Sequence, residues 1–225
     1  MGETIKLKAA DGFEFGAYHA PALDARRGGL VLIQEIFGVT SHIRDLADGY
    51  AADGYEVIAP SLFDRLAPSF QAGYGEADMA EALKVSQAAR WDDVARDLQG
   101  AIDKLKPPVF VAGYCWGGTA TWLAACRCDG VAAASAFYGR RISELIDETP
   151  RCPIILHFGK TDPTIPLEKV DEIAARHPDV SIHRYDAGHG FVSDRSQNHV
   201  ADADRLARLR TLALFSRHGG GRGDA

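Results

Sequence analysis

Three absences narrow the class of protein. The sequence contains no run of about 18 or more consecutive apolar residues, so we expect no membrane span. Its first residues, from Met1 to Lys6, include no apolar segment of the kind found in a secretory signal peptide. It has no basic cluster and its net charge is −6, so we do not expect nucleic acid as a partner.

Cysteine is scarce, and its spacing does not resemble a disulfide framework. The chain has four cysteines, at Cys115, Cys126, Cys128 and Cys152. A chain of 225 residues can bury a sizeable core in one domain without such bridges. We therefore expect reduced thiols and a cytoplasmic protein. Cys126 and Cys128 have the spacing of half a metal site, but no matching Cys or His pair follows, so we expect no metal.

Segments typical of strands alternate with segments typical of helices along the chain. Strands are predicted at residues 4–7, 13–19, 30–33, 55–59, 108–112, 131–138, 153–158 and 180–185. Helices are predicted at residues 41–53, 76–105 in two pieces, 119–125, 167–176 and 197–215. This alternation favours an α/β fold, with a mostly parallel sheet and helices on both faces. We expect a single domain over residues 1–217 and a disordered tail over residues 218–225.

The most informative motif is Gly113-Tyr114-Cys115-Trp116-Gly117-Gly118, which lies between a predicted strand and a predicted helix. A Gly-x-nucleophile-x-Gly stretch in this context is the nucleophile elbow of α/β-hydrolases. The turn is too sharp for large flanking side chains, so the central residue is strained and its side chain is exposed. Here that residue is Cys115, which predicts a thiol nucleophile. The alternative is a buried cysteine in a tight turn.

Two further candidates follow predicted strands downstream of Cys115. Asp162 comes directly after strand 153–158, and His189 comes directly after strand 180–185. The order nucleophile, acid, histidine is the one that α/β-hydrolases use. A histidine beside the thiol can take its proton, and a carboxylate can fix the histidine tautomer. Alternatively, Asp162 caps a turn before Pro163 and His189 is an ordinary loop histidine.

Glu35 ends an apolar strand, where an unpaired carboxylate is costly. The loop after this strand supplies one backbone N–H group of the oxyanion hole in α/β-hydrolases. The predicted donors are the backbone N–H groups of Ile36 and Trp116. Glu35 would then lie at the rim of the active site as a second base near the thiol. The alternative is an ion pair with an arginine such as Arg44 or Arg65.

Several segments together resemble the dienelactone hydrolase family over about residues 4–215. They are QEIFG at 34–38, PSLF at 60–63, GYCWGG at 113–118, GKTD at 159–162 and GHGF at 188–191. The resemblance implies an α/β-hydrolase fold without a large lid, no cofactor, and opening of unsaturated lactones to keto acids in aromatic compound degradation. It implies that Cys115 is the nucleophile, His189 the base and Asp162 the group that orients it. Glu35 would accept the thiol proton when substrate binds, and Phe37 is a candidate substrate contact.

The sequence departs from this family at the residues that hold a substrate carboxylate. An arginine is expected four residues after His189, but Ser193 stands there, and the nearest arginine is Arg195. Met79 and Leu83 occupy the places of an expected arginine and tyrosine. Arg195 is therefore the candidate for the missing contact, with Arg65 as a second possibility. The substrate could equally be another small ester, lactone or thioester.

Two other classes of function remain open at this point. One is a non-catalytic α/β-hydrolase-fold protein that binds a small molecule or responds to oxidation. The other is a metal-dependent hydrolase that uses His183, His189 and Asp186, although their spacing matches no HExxH-type site. We expect a monomer or small homo-oligomer that acts on a small-molecule lactone or ester.

Overall fold

The computed structural model describes residues 2–221, which form one eight-stranded sheet flanked by helices. The strands are β1 (Glu3–Lys8), β2 (Glu14–Ala20), β3 (Gly28–Ile33), β4 (Tyr55–Pro60), β5 (Val109–Tyr114), β6 (Val131–Phe137), β7 (Ile154–Gly159) and β8 (Ser181–Tyr185). The helices are α1 (Ser41–Ala52), α2 (Glu76–Ala88), α3 (Trp91–Lys104), α4 (Trp116–Arg127), α5 (Leu167–Arg176) and α6 (Ala201–Phe215). None of these helices is both long and apolar enough to cross a bilayer.

The strand order is β1-β2-β4-β3-β5-β6-β7-β8. The first two pairings, β1 with β2 and β2 with β4, are antiparallel, and the remaining strands are parallel. Every residue of β3 and of β5 is buried, as expected for central strands covered on both faces. The predicted α/β architecture with a mostly parallel sheet is therefore confirmed.

The helices cover both faces of the sheet. On one face, α1 and α6 are linked by Arg208, whose guanidinium donates to Asp53 across 2.7 Å and lies over the ring of Tyr50. On the other face, α3 packs against α4, and α4 packs along β5 and β6. Trp122 of α4 also contacts His177, just after α5, with ring centroids 5.0 Å apart. The core thus has two layers, one on each side of β3 and β5.

The last helix begins later than the sequence predicted. Residues 197–200 are not helical, and α6 begins at Ala201. The chain uses these residues for contacts elsewhere: the Val200 backbone N–H donates to the Phe191 carbonyl, and Asn198 donates to the His189 carbonyl. Val200 itself has extended backbone angles, φ −125° and ψ 99°, so the helix begins only after it.

The chain remains folded past residue 217, where the sequence analysis placed the start of the tail. After α6 the chain continues in a π-type turn, Ser216–Gly220. Arg27 fixes the end of this turn because its Nε donates to the Gly220 carbonyl across 3.0 Å. The rest of the predicted tail, residues 222–225, lies outside the described residues.

The strand order places a switch point between β3 and β5. From β3 the chain moves to β4 on one side, and from β5 it moves to β6 on the other. In parallel α/β sheets, ligands bind at such a point, beyond the carboxyl ends of the strands. Ile33 pairs with Gly113 at those ends, so the loops carrying Glu35 and Cys115 leave the sheet side by side.

Candidate active site

Cys115 lies in a strained turn between β5 and α4. Its φ angle is +56°, a region that side chains other than glycine rarely adopt. The turn is tightly packed, because a Cβ added to Gly117 would lie 2.7 Å from the Ile33 carbonyl oxygen and closer still to that of Gln34. This geometry is that of the nucleophile elbow. It holds the Cys115 side chain at the N-terminus of α4, where it lines a cavity.

The structure brings Cys115, His189 and Asp162 into one hydrogen-bonded row. The Nε2 atom of His189 lies 3.2 Å from the Cys115 sulfur, and its Nδ1 donates to Oδ2 of Asp162 across 2.6 Å. The sheet register explains the meeting, because Gly159 at the end of β7 pairs with Tyr185 at the end of β8. The two loops that follow therefore leave the sheet together. Asp162 also accepts from the backbone N–H of Thr164, as in the turn-cap alternative, so it bonds to both the turn and the imidazole.

The hydrogen bonds in this row shift the pKa values of His189 and Asp162 in opposite directions. Burial disfavours a charged imidazole, but the hydrogen bonds to Asp162 and Cys115 raise the pKa of His189 to about 10. Burial would likewise raise the pKa of Asp162, yet its hydrogen bonds to His189 and Thr164 hold that pKa below the ordinary value. The arrangement therefore favours a protonated imidazole beside an ionised carboxylate.

Two residues that the sequence analysis did not identify hold this row in place. Thr164 donates to Oδ1 of Asp162 through both its backbone N–H, at 2.8 Å, and its hydroxyl, at 2.7 Å. Asn198 donates through Nδ2 to the His189 carbonyl across 3.0 Å. The Thr164 contact has a weak local signal, since a hydroxyl two residues after an aspartate often bonds to it. Nothing local to Asn198 indicates its contact.

Tyr138 packs against the imidazole from the end of β6. Its ring centroid lies 4.9 Å from that of His189 and 5.5 Å from that of Phe191. The residue has a φ angle of +38°, and its fully buried hydroxyl has no hydrogen-bond partner within residues 2–221. The ring thus limits how the imidazole can turn, at the cost of a buried polar group without a partner.

The backbone N–H groups of Ile36 and Trp116 are available to a bound oxygen. Trp116 is the first residue of α4, where backbone N–H groups have no acceptor within the helix. Within residues 2–221, neither of these two N–H groups donates to another backbone carbonyl. Unpaired N–H groups at a helix N-terminus attract negative charge. These two groups lie on the loops after β3 and β5, on either side of the switch point.

Glu35 is nearly enclosed and lies at the cavity wall. The residue is 6% exposed, and burial raises its pKa to about 7, although the nearby His189 charge opposes the rise. The alternative of an ion pair with Arg44 or Arg65 is wrong. Arg65 pairs with the buried Asp97 at 2.7 Å, and Arg44 lies over the ring of Tyr18. Glu35 is therefore a carboxyl that can change its protonation state near neutral pH.

A cavity of about 730 Å³ opens above Cys115, within the range of small-molecule sites. Phe37 lines it and packs against Tyr74, with ring centroids 4.7 Å apart. Met79 and Leu83 of α2 add apolar surface at its mouth. Arg195 also lines the cavity, whereas Arg65 does not.

The residues of the two metal sites considered from the sequence are not arranged to bind a metal ion. His183 stacks on the ring of His157, and the exposed Asp186 accepts from Lys160 across 2.8 Å, so neither converges on His189. No group of three or more His, Cys, Asp or Glu side chains in the described chain could hold a metal ion. Burial raises the pKa of Cys126 and of Cys128 to about 12, which disfavours the thiolate that a metal needs.

Comparison with known proteins identifies relatives along nearly the whole chain. The model of the dienelactone hydrolase family matches residues 15–219. A provisionally named carboxymethylenebutenolidase from Azospirillum brasilense is 32% identical, over 95% of this chain and 98% of the relative. The carboxymethylenebutenolidase of Pseudomonas putida is 29% identical, over 96% and 97% of the two chains.

Solved structures agree with this relationship. The crystal structure of a provisionally named dienelactone hydrolase from Klebsiella pneumoniae subsp. pneumoniae has a TM-score of 0.80 and 25% identity. The match covers 96% of this chain and 99% of that one. The α/β-hydrolase fold predicted from the sequence is confirmed, and no large lid is present in residues 2–221. The chain therefore belongs to the dienelactone hydrolase family and is a hydrolase.

Proposed function

We propose that the protein hydrolyses small lactones or esters by acyl transfer through Cys115. The observation that carries this proposal is the row in which His189 lies 3.2 Å from the Cys115 sulfur and 2.6 Å from Asp162. A sulfur nucleophile, a base within hydrogen-bond reach and a carboxylate that orients the base are the parts that covalent catalysis needs.

In the first half of the reaction, the Cys115 thiol gives its proton to Glu35 as the substrate enters, and the thiolate beside the His189 imidazolium attacks the substrate carbonyl carbon. The carbonyl oxygen becomes an oxyanion, which accepts hydrogen bonds from the backbone N–H groups of Ile36 and Trp116. Donors held ready in this way stabilise a transition state by roughly 3–4 kcal/mol each. When the intermediate collapses, the ester C–O bond breaks and the His189 imidazolium gives its proton to the leaving oxygen.

In the second half, His189 takes a proton from water, and the resulting hydroxide attacks the acyl-cysteine thioester. The C–S bond breaks, the acid product leaves, and Glu35 returns its proton to the sulfur, while His189 keeps the proton that it took from water. In a lactone, the leaving oxygen and the acid belong to one molecule, so the product is a single hydroxy acid or the keto acid derived from it.

Glu35 supplies a second base beside the thiol in this proposal. Its burial and its pKa of about 7 support the exchange of a proton with a neighbouring group near neutral pH. It would take the Cys115 proton when the substrate enters the cavity, which limits the lifetime of a reactive thiolate in the empty enzyme. We place the activity in the cytoplasm, because free cysteines stay reduced there. We place its role in the degradation of aromatic compounds.

The test is hydrolysis of a panel of lactones, aryl esters and thioesters by the wild type and by Cys115→Ala. Activity should be lost in Cys115→Ala while the circular dichroism spectrum is retained. The matched control is Cys152→Ala, which removes another partly exposed free thiol outside the cavity and should keep wild-type rates. Wild-type rates in Cys115→Ala, or no hydrolysis by the wild type, would contradict the proposal.

A further inference from the structure

One arginine of the cavity has no role in the proposed chemistry. Arg140 begins the 3₁₀ turn Arg140–Glu144, which follows β6, and it lines the cavity with an exposed side chain. Within residues 2–221, its guanidinium makes no ion pair, no hydrogen bond and no contact with an aromatic ring. The neighbouring Arg141 differs, because it pairs with Glu144 at 2.8 Å and lies over the ring of Trp91.

The other cationic side chain of the cavity, Arg195, is neutralised by its surroundings. Its guanidinium lies 3.2 Å from Asp45 and 3.3 Å from Asp194. Two carboxylates therefore already compensate the charge that the sequence analysis assigned to substrate binding. Among the cavity arginines, Arg140 is left as the cation whose charge no described carboxylate balances.

The balance of charge limits what Arg140 can bind. Glu35 also lines the cavity and makes no ion pair among the described residues, so in its ionised form it would repel a second negative charge on the ligand. A ligand with one carboxylate matches one uncompensated guanidinium, whose planar fork of N–H groups fits both carboxylate oxygens. The apolar surface of Phe37, Met79 and Leu83 suits the remainder of such a molecule.

We propose that Arg140 binds a carboxylate carried by the substrate and so gives the enzyme a preference for monoanionic lactones and esters. The inference rests on the proposed function, since it concerns selectivity at the same cavity. In this chain the cation for the carboxylate comes from the turn after β6, whereas Ser193, Met79 and Leu83 supply no charge at their positions.

The experiment compares ester pairs that differ only in charge. The first pair is mono-4-nitrophenyl glutarate and its methyl ester, with the carboxylate on the acyl side. The second is 4-acetoxybenzoate and its methyl ester, with the carboxylate on the leaving group. For each pair, the ratio of kcat/KM for the anion to that for the neutral ester is measured with wild type, Arg140→Gln and Arg140→Glu. Arg205→Gln, which alters an exposed arginine on α6, is the control.

The wild type should favour the anion in at least one pair, and the ratio should fall about tenfold in Arg140→Gln, the size expected for one charged hydrogen-bonded pair. It should fall further in Arg140→Glu and stay unchanged in Arg205→Gln. Equal ratios in wild type and both Arg140 variants would overturn the inference. If the wild type hydrolyses none of the esters, the proposed function fails instead.

Salt provides a second, independent measurement on the unmodified enzyme. The net charge of −6 repels an anion, so screening of this repulsion by salt should by itself raise kcat/KM for anionic substrates. Salt also screens the attraction between Arg140 and the anion, which lowers kcat/KM for anionic substrates. We expect this second effect to dominate, so the wild-type ratio should fall as ionic strength rises. In Arg140→Gln it should be constant or rise. A wild-type ratio that rises with salt would contradict the role of Arg140.

Discussion

The imidazole of His189 donates from Nδ1 to Oδ2 of Asp162 across 2.6 Å, and the Asp162 side chain has no exposed surface. This bond fixes which nitrogen of His189 faces the sulfur. It also favours the imidazolium, which stabilises a thiolate beside it. The pair thus connects the loop after β7 to the loop after β8, and its removal should affect both geometry and charge.

Neutralising this carboxylate should disable the base. In Asp162→Asn we expect kcat to fall by about 10³-fold or more, the order typical of such a change in a catalytic triad. The pKa of His189 should drop from about 10 towards its ordinary value of 6.5, because a partner that raises it has lost its charge. Steady-state kinetics and an NMR titration of the histidine check the two effects.

The control for this variant is Asp186→Asn, in the loop just before His189. Asp186 is largely exposed and accepts only from Lys160, so its loss should leave kcat within twofold, about 0.4 kcal/mol in barrier. Equal losses in the two variants would mean that any change in these loops disturbs the site, and the specific role of Asp162 would then be wrong.

Stability should depend on pH through Glu35. The unfolded carboxyl titrates near 4.5 and the folded one near 7, so the folded state binds more protons between these values. Stability is therefore highest below this window and falls as pH rises through it, by on the order of 3 kcal/mol. Glu35→Gln removes the titrating group and should become more stable than the wild type at pH 8, but not at pH 5, roughly the lower edge of the window.

Urea unfolding of both proteins from about pH 5 to 8 measures this difference. Glu172→Gln, which changes an exposed glutamate paired with Lys169, should follow the wild-type curve. Parallel curves for the wild type and Glu35→Gln would indicate that Glu35 keeps an ordinary pKa in the folded protein.

Two glycine substitutions should have opposite effects on stability. In Gly117→Ala the new methyl group would overlap the backbone of Ile33 and Gln34, so the elbow must shift, at a cost of about 2 kcal/mol or more. Gly49 lies within α1, and a methyl group there would meet only Arg208 at an ordinary 3.6 Å. Gly49→Ala should therefore stabilise the protein by about 0.5–1 kcal/mol through helix propensity.

Thermal unfolding checks both substitutions. Activity separates the two as well, since Gly117→Ala displaces Cys115 and Trp116, whereas Gly49→Ala leaves the cavity untouched. A Gly117→Ala protein with wild-type stability and rates would show that the turn tolerates a side chain, contrary to the packing described above.

Tyr138→Phe should stabilise the protein, because it removes a buried hydroxyl without a partner and keeps the ring against His189. We expect a gain of up to about 1 kcal/mol, since burying an unpaired polar group usually costs 1–3 kcal/mol. Tyr185→Phe is the contrasting variant. Its hydroxyl bonds with His157 at 2.8 Å and Arg210 at 3.0 Å, so its loss should destabilise. Equal losses in both variants would contradict this view of Tyr138.

The sequence was sufficient to predict the fold and the positions of the proposed triad, because each candidate residue follows a segment with the pattern of a strand. Cys115, Asp162 and His189 each follow the end of a parallel strand, so parallel topology alone brings their loops to one edge of the sheet. Thr164 was missed because a hydroxyl two residues after an aspartate is only a weak signal, and Asn198 was missed because its role depends on a tertiary contact with the His189 loop. The helix predicted from residue 197 fails for the same reason, since Asn198 and Val200 bond to the His189 loop instead.

The sequence also could not predict which arginines of the cavity are paired with carboxylates. Arg195 was selected for its distance from His189 along the chain, yet two carboxylates that pair with it come from α1 and its own loop. Arg140 and Arg141 are adjacent and look equivalent in sequence. Only the fold distinguishes them, because Arg141 reaches Glu144 and Trp91 while Arg140 faces the cavity.

The most direct measurement of the central claim is mass spectrometry of the enzyme during turnover of 4-nitrophenyl acetate. After acid quench and proteolysis, we predict an acetyl group on the peptide that contains Cys115, formed at the rate of the nitrophenol burst and absent in His189→Ala. The account would be contradicted by an acetyl group on a different residue, if that group forms and is hydrolysed at the steady-state rate. Hydrolysis without a burst by the Cys115→Ala enzyme would contradict it as well.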